Sequence, residues 1–385
     1  MRAKIIGSAE SKFVQKEEEL NLEEMVFFTA KKAMESAGLS RDEIDTVIQA
    51  GDDVMDGINI NHVYQIEPAG AYLKEESKVE EDGAFALFYA LCRLATGKFN
   101  TALVIGYSKS SESSVEFIKN VKSQTNPEST GGWYYFTQMD PFYLRPLGLD
   151  NLSYHAMQYR QFLSETSLTE EDIARITVKN KAAGKGNPNA IFAGDYSISD
   201  VLNSTEIASP LKELQIPYMT DGVSAIVIAR EEWAKEKHKE GVTITGLGTA
   251  SDAYYPGYRD FASVPTAKIA KDKAFQMAGI KSTDVQLAEL YELFPYQEAM
   301  LYKEVFGWSY EEIKEKLSSE YTTETGGLPV NVSGGVSCAH PIMAAGLSRI
   351  INAVHLMDKR SLKTTLAHSQ SGLGMQSNIV YILQS

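Results

Sequence analysis

The feature that most constrains the fold is an internal echo. Residues 33–51, AMESAGLSRDEIDTVIQAG, are followed in the same order by residues 274–292, AFQMAGIKSTDVQLAELYE. Each stretch runs from the end of a helical pattern through Ala-Gly and a polar turn holding Asp into an apolar strand-like run. Glycine stops a helix there because it takes up the left-handed backbone that a C-terminal cap needs. The flanking patterns repeat as well. The first half reads as a helix over 21–37 ended by Gly38, a strand with its approach over 43–50, a buried helix over 83–96 and a buried strand over 101–106. The second reads as a helix over 267–278 ended by Gly279, a strand over 285–290, an apolar helix over 339–356 and strands over 364–367 and 377–383. Such alternation marks an α/β protein. The 385 residues suit two similar halves, taken as 1–240 and 241–385. Residues 115–235 are expected to form an insertion of loops and helices that includes the aromatic run GGWYYFTQMDPFYLRP over 131–146. Such a run serves either as a lid over a binding site or as an oligomer interface.

Bulk properties exclude several function classes. A net charge of -14 without a long basic stretch argues against general nucleic-acid binding, although a few basic side chains and helix N-termini can still hold an anionic ligand. No window reaches the roughly 20 apolar residues of a membrane span. The opening MRAKIIGSAESKF lacks the apolar run of a signal peptide. Two cysteines, Cys92 and Cys338, are too few for a disulfide framework, so a reducing, cytoplasmic setting is expected. The six histidines show no ligand spacing, and no metal site is expected in this chain. A phosphate-binding loop of the P-loop or dinucleotide type is also missing.

Three segments can carry chemistry. In NVSGGVSCAHPIMAAGLSRI, residues 331–350, a glycine pair leads into Cys-Ala-His-Pro, and Pro341 suits the first turn of a helix. His340 is then expected at or just before a helix N-terminus, as a base or hydrogen-bond donor. In AELYELFPYQEA, residues 288–299, Tyr291 leaves a buried strand with Glu292, Tyr296 and Glu298 behind it. Strand ends are where α/β sheets bind ligands, although a tyrosine so placed is more often a buried aromatic with a satisfied hydroxyl. In TLAHSQSGLGMQSN, residues 365–378, His368 leaves a strand into a glycine-bearing turn whose N–H groups could bind an oxyanion.

Together these segments resemble the thiolase superfamily, in its sterol-carrier and lipid-transfer branch. The residues Asn331-Val-Ser-Gly-Gly335 through His340-Pro341 and Gly346 are similar to the family's Asn-Pro-Ser-Gly-Gly signature with its His-Pro, and Glu289-Leu-Tyr-Glu-Leu-Phe294 is similar to its Glu-(Val/Leu)-His-Asp-x-Phe strand end. The resemblance implies a five-layered αβαβα fold of two similar halves, a homodimer, and acyl-coenzyme A thioesters as ligands. Gly334, Gly335, Gly372 and Gly374 are the implied contacts of coenzyme A. A pantetheine channel would lead to the N-termini of two facing buried helices, which would supply the electrostatics for an oxyanion. A zinc-ribbon and OB-fold companion subunit, carrying the metal, is implied as well.

The chain departs from the family at its nucleophile. In VEEDGAFALFYALCRLATG, residues 79–97, anchoring on the helix that begins at Gly83 puts Glu80 where the family has its cysteine. Tyr291 stands where the family has His or Asn, as in its cysteine-less aldolase members, while His340 is kept in a thiolase-like His-Pro turn. The implied activity is therefore breakage or formation of a C–C bond in an acyl-CoA, retro-aldol on a β-hydroxyacyl-CoA rather than Cys-dependent thiolysis. Tyr291 would be the acid/base, His340 with help from His368 would polarise the thioester carbonyl, and Glu80 would be a second base or an orienting group. Two alternatives stand beside it: a non-catalytic CoA-binding or scaffold subunit, and a thiolase with an atypical nucleophile.

Overall fold

The computed structural model describes residues 2–112 and 139–385. One nine-stranded mixed sheet runs through it in the order β3-β2-β4-β7-β1-β8-β11-β10-β9. The strands are β1 (Ala3–Glu10), β2 (Thr46–Ala50), β3 (Glu75–Val79), β4 (Thr101–Ser108), β7 (Gly222–Arg230), β8 (Val242–Ser251), β9 (Leu287–Glu289), β10 (Thr364–Ser371) and β11 (Ser377–Gln384), with β5 (Glu206–Ala208) and β6 (Leu211–Lys212) forming a separate hairpin. Read outward from the β1·β8 join, β1, β7, β4 and β2 match β8, β11, β10 and β9 in order, and β3 is added at the outer edge of the first side. β1·β7 and β8·β11 are antiparallel, β4·β7 and β10·β11 are antiparallel, and β2·β4 and β9·β10 are parallel. The join itself is short, pairing Ala3, Lys4 and Ile5 with Ile244, Thr243 and Val242.

The sequence echo has a local physical cause at both places. Helices α1 (Leu22–Ser36) and, in the second half, Pro265–Ala278 end next to Gly38 and Gly279, whose φ values are +60° and +69°. A short 3-10 turn follows each, Arg41–Glu43 and Ser282–Asp284, before the strand begins. Between the half-sheets lie two central helices, α2 (Gly83–Ala95) and, near the C-terminus, Ala345–Arg360. Leu87, Ala90 and Leu94 of the first share one buried cluster with Leu347, Ile350 and Ala353 of the second, and both half-sheets contribute to it through Ile48, Val104, Ile226, Ala367, Ile379 and Tyr381. The opposite face of the first half-sheet is covered by α1, and that of the second by helix Pro265–Ala278 with the insertion helices α3 (Asn151–Glu165) and α4 (Glu170–Gly184). Helix, sheet, paired helices, sheet and helix make five layers, and the fold is the α/β, thiolase-like αβαβα arrangement expected. With α3 and α4 placed, Pro265–Ala278 is α5, Pro295–Leu301 is α6 and Ala345–Arg360 is α7.

Two expectations about element boundaries need correction. Residues 222–230, expected inside the insertion, are β7, a fully sheet-embedded strand hydrogen-bonded to both β1 and β4. The helix expected over 339–356 starts only at Ala345. His340 instead forms a parallel bridge to Met219, its carbonyl accepts Thr220 N–H at 3.0 Å, and Met343 O accepts Gly83 N–H at 2.8 Å, which holds residues 340–344 as a turn. Of the aromatic run, 131–138 lie outside the described residues, while Phe142 and Tyr143 are exposed.

Candidate active site

The site is built where β9 ends. Leu290 N–H donates to Asn331 Oδ1 at 2.6 Å, Tyr291 N–H donates to His368 O at 3.1 Å, and Tyr291 O accepts Gln370 Nε2 at 3.0 Å. The chain is thus pinned on both sides as it leaves the sheet. The phenol Oη of Tyr291 then lies 2.6 Å from Nε2 of His340, with both side chains buried. Burial without a compensating acid pushes the His340 pKa down to about 3, so its imidazole is neutral near pH 7. Among the described residues its Nδ1 has no hydrogen-bond partner. A neutral imidazole has one donor and one acceptor nitrogen, so the pair can take a proton at one end and retain it at the other. An apolar group of Met55, Met139, Tyr154, Met219, Ile342, Met343 and Leu373 includes two residues that follow His340 in its turn and Met219, which is bridged to it.

The remaining expected site residues fall elsewhere. The His368 imidazole donates from Nε2 to Asn378 Oδ1 at 2.9 Å, and burial pushes its pKa down to about 4. His368 thus reaches Tyr291 through its backbone carbonyl. Glu80 is half exposed, accepts Asp53 N–H at 2.9 Å and forms an ion pair with Lys78 at 2.6 Å, so its carboxylate belongs to the surface at the β3 edge. The carboxyl at the mouth of α2 is that of Asp82, the helix N-cap, 3% exposed. Gly334 and Gly335 have an internal reason to be glycine. A methyl on Gly334 would come 2.8 Å from the backbone of Gly184, and one on Gly335 would come 2.1 Å from Glu292 Oε1. Gly374 likewise makes room for Tyr154, and Gly372 for Gln376. The cysteines are not set up as nucleophiles: Cys338 is buried against Asn180 O and its thiol is pushed up to about 11, while Cys92 is exposed along α2.

Behind Tyr291 lies an acid cluster that sequence reasoning did not assemble. Asn331 Nδ2 donates to Glu292 at 2.8 Å and to Glu298 at 2.7 Å. Asn180 Nδ2 joins the same two carboxyls at 3.2 and 2.7 Å, and Lys179 pairs with Glu298 at 2.7 Å. Burial, reinforced by the Glu298 carboxylate beside it, holds the Glu292 pKa well above the ordinary carboxyl range. The signal for it was present in the segment ELYELFPYQE, where two further glutamates follow Tyr291 in an otherwise apolar run. No group of residues that could hold a metal ion is found among the described residues, and no described helix is long and apolar enough to cross a membrane.

These buried groups make stability pH-dependent. Asp56 and Asp82 are pushed by burial from 3.8 up to about 7, and the stability that they contribute is present at low pH and lost as pH rises through 7. His155 and His340 are lowered to about 3 and His368 to about 4 from 6.5. Their contribution is present above 6.5 and lost as pH falls toward 3. The two sets oppose each other between about 4 and 6.5, so thermal unfolding across pH 3–8 is expected to show a plateau there with lower Tm on both sides.

Residues 248–385 match the family model described as thiolase C-terminal domain-like. The subunit BbsB of benzoylsuccinyl-CoA thiolase from Thauera aromatica is 34% identical over 206 residues, 53% of this chain and 53% of that protein, so the match spans about half the length of each. The 17-hydroxy-3-oxo-4-pregnene-20-carboxyl-CoA lyase of Mycobacterium tuberculosis is 28% identical over 273 residues, covering 67% and 68% of the two chains. Among solved structures, the Ltp2-ChsH2(DUF35) aldolase superposes with a TM-score of 0.81 at 22% identity, covering 100% of this chain and 97% of that one, which is a likeness of fold. The chain is thus similar to proteins of the thiolase superfamily, with the family match itself confined to residues 248–385.

Proposed function

We propose that the protein makes or breaks a C–C bond of an acyl-CoA thioester, and that it works in the retro-aldol sense on a β-hydroxyacyl-CoA. The observation that carries this reading is the buried 2.6 Å contact between Tyr291 Oη and a neutral His340, with no activated cysteine nearby. Relatives named as a CoA lyase and a thiolase subunit support the substrate class.

With His340 Nε2 as acceptor, the β-hydroxyl proton passes to Tyr291 Oη while the phenolic proton moves to Nε2. The C2–C3 electron pair goes onto the thioester as an enolate, C3 becomes the carbonyl of the released ketone or aldehyde, and C2 then takes up a proton to give the shortened acyl-CoA. No acyl-enzyme is needed, which fits a Cys338 thiol held protonated and a Glu80 engaged by Lys78. Coenzyme A binding near Gly372 and Gly374, a homodimer, a cytoplasmic setting and a zinc-ribbon/OB-fold companion belong to the same proposal. The companion is favoured by the aldolase that shares the fold, in which Ltp2 is joined by ChsH2(DUF35).

The test is product analysis on a panel of β-hydroxyacyl-CoA thioesters, with the chain alone and with its companion. A shorter acyl-CoA and a carbonyl compound in equal amounts are expected. Pretreatment with iodoacetamide, which reaches the exposed Cys92, should leave the rate unchanged. Thiolysis that disappears on alkylation would instead favour the atypical-nucleophile alternative, and no turnover with any partner would favour the scaffold.

A further inference from the structure

The central helices α2 and α7 begin side by side, and their N-terminal N–H groups were expected to face a substrate oxyanion. In the structure those groups already have an occupant. Asp82 Oδ1 accepts Ala84 N–H of α2 at 2.9 Å and Ser369 Oγ–H of β10 at 2.8 Å, while Oδ2 accepts Gly346 N–H of α7 at 2.8 Å. One carboxyl therefore joins both central helices to the second half-sheet. The fit is close on every side. A methyl on Gly346 would come 1.8 Å from Asp82 Oδ1, and one on Gly83 would come 2.6 Å from the Leu347 side chain. The next N–H along, that of Gly83, is used by Met343 O at 2.8 Å in the turn that carries His340.

Helix starts carry partial positive charge and unpaired N–H donors, and two such starts facing one buried point attract an oxygen acceptor. The two oxygens of the Asp82 carboxyl accept from both helices and from Ser369 at once. We propose that Asp82 is the resident occupant of this junction, filling with its own side chain the place where α2 and α7 would hold a substrate oxygen, and that it is a positioning residue for the 340–344 turn. By this arrangement a thioester carbonyl is polarised by other groups, among them His340. That last consequence rests on the acyl-CoA reading, while the occupancy and positioning do not.

The test opens the junction with Asp82→Ala and asks whether a small carboxylate refills it. Thermal unfolding is followed at pH 6, below the pH at which the Asp82 contribution is lost, in sodium formate and in sodium chloride of equal ionic strength. The variant is expected to melt several degrees below the wild type, formate should return part of that loss in a saturable way, and the wild type should not respond. A variant that melts like the wild type, or a formate shift common to both proteins, overturns the proposal. Should the alanine variant not fold, Asp82→Asn keeps the shape but turns an NH2 group toward one of the three donors. Amide exchange in peptides covering 340–350 should then quicken by about tenfold, as for the loss of one buried hydrogen bond, and unchanged exchange there also overturns it. Both readouts work without substrate. Where turnover is measurable, Asp82→Asn should lower kcat with little change in KM, because the His340 turn moves and the CoA contacts do not. A raised KM with intact kcat counts against positioning.

Discussion

Tyr291→Phe is expected to reduce cleavage of a β-hydroxyacyl-CoA by about 10²–10⁴-fold, the usual contribution of a positioned acid/base group. The reason is local. The phenylalanine ring fills the same buried space, but the substitution removes the oxygen through which His340 Nε2 is joined to that strand end. Stability should fall by about 1–3 kcal/mol, the cost of leaving a buried acceptor unpaired. A variant that loses no more stability than this and stays folded at the assay temperature, together with lost turnover, identifies the hydroxyl as part of the chemistry. If turnover survives at the wild-type rate, Tyr291 is a core aromatic and the proposed proton path is wrong.

Gly335→Ala is expected to be the most damaging single substitution for the fold around the site. Gly335 has φ +66° and ψ -171°, a region reserved for glycine, so an alanine there carries about 1–3 kcal/mol of backbone strain. Its methyl would also meet Glu292 Oε1 at 2.1 Å and the rest of that carboxyl at 2.8 Å. Relief by moving Glu292 would break its bonds to Asn331, Asn180 and Ser337, so the overpacking adds roughly another 1–3 kcal/mol. Chemical denaturation should show the loss directly. The paired variant Gly335→Ala with Glu292→Ala should recover some of it by removing the obstructing carboxyl.

What the sequence made legible follows the range of the interactions. The echo between 33–51 and 274–292 could be read because each copy is written in local chemistry: a glycine that needs positive φ, a short polar turn and an apolar strand. The pairing of Tyr291 with His340 was reached only through resemblance, since the two lie 49 positions apart and no spacing rule joins a strand end to a distant turn. The start of α7 was misjudged because His-Pro followed by small residues looks like a helix opening, whereas the bridge from His340 to Met219 is a long-range contact. Likewise β7 is a nine-residue strand whose run GVSAIVIAR follows a span dominated by loops and helices. Glu80 was singled out because anchoring the helix at Gly83 put it at the family's cysteine position, and such a correspondence does not tell which carboxyl turns inward; it is the short side chain of Asp82 that reaches the helix N–H.

The place of β1 in the sheet bears on how the chain reaches this structure. Its first strand is an interior one, with Ala3 opposite Arg230 on one side and Ile244 on the other. On the ribosome, therefore, β2, β3 and β4 can associate early, but β1 stays unpaired until more than half of the chain has been made. Closing so long a loop precedes any gain from the pairing, which makes this a slow step and leaves an apolar strand waiting in the meantime. Refolding from denaturant is accordingly expected to be slow for a protein with so many short local turns, and chaperone dependence during synthesis should concentrate on the interval before residue 230 emerges.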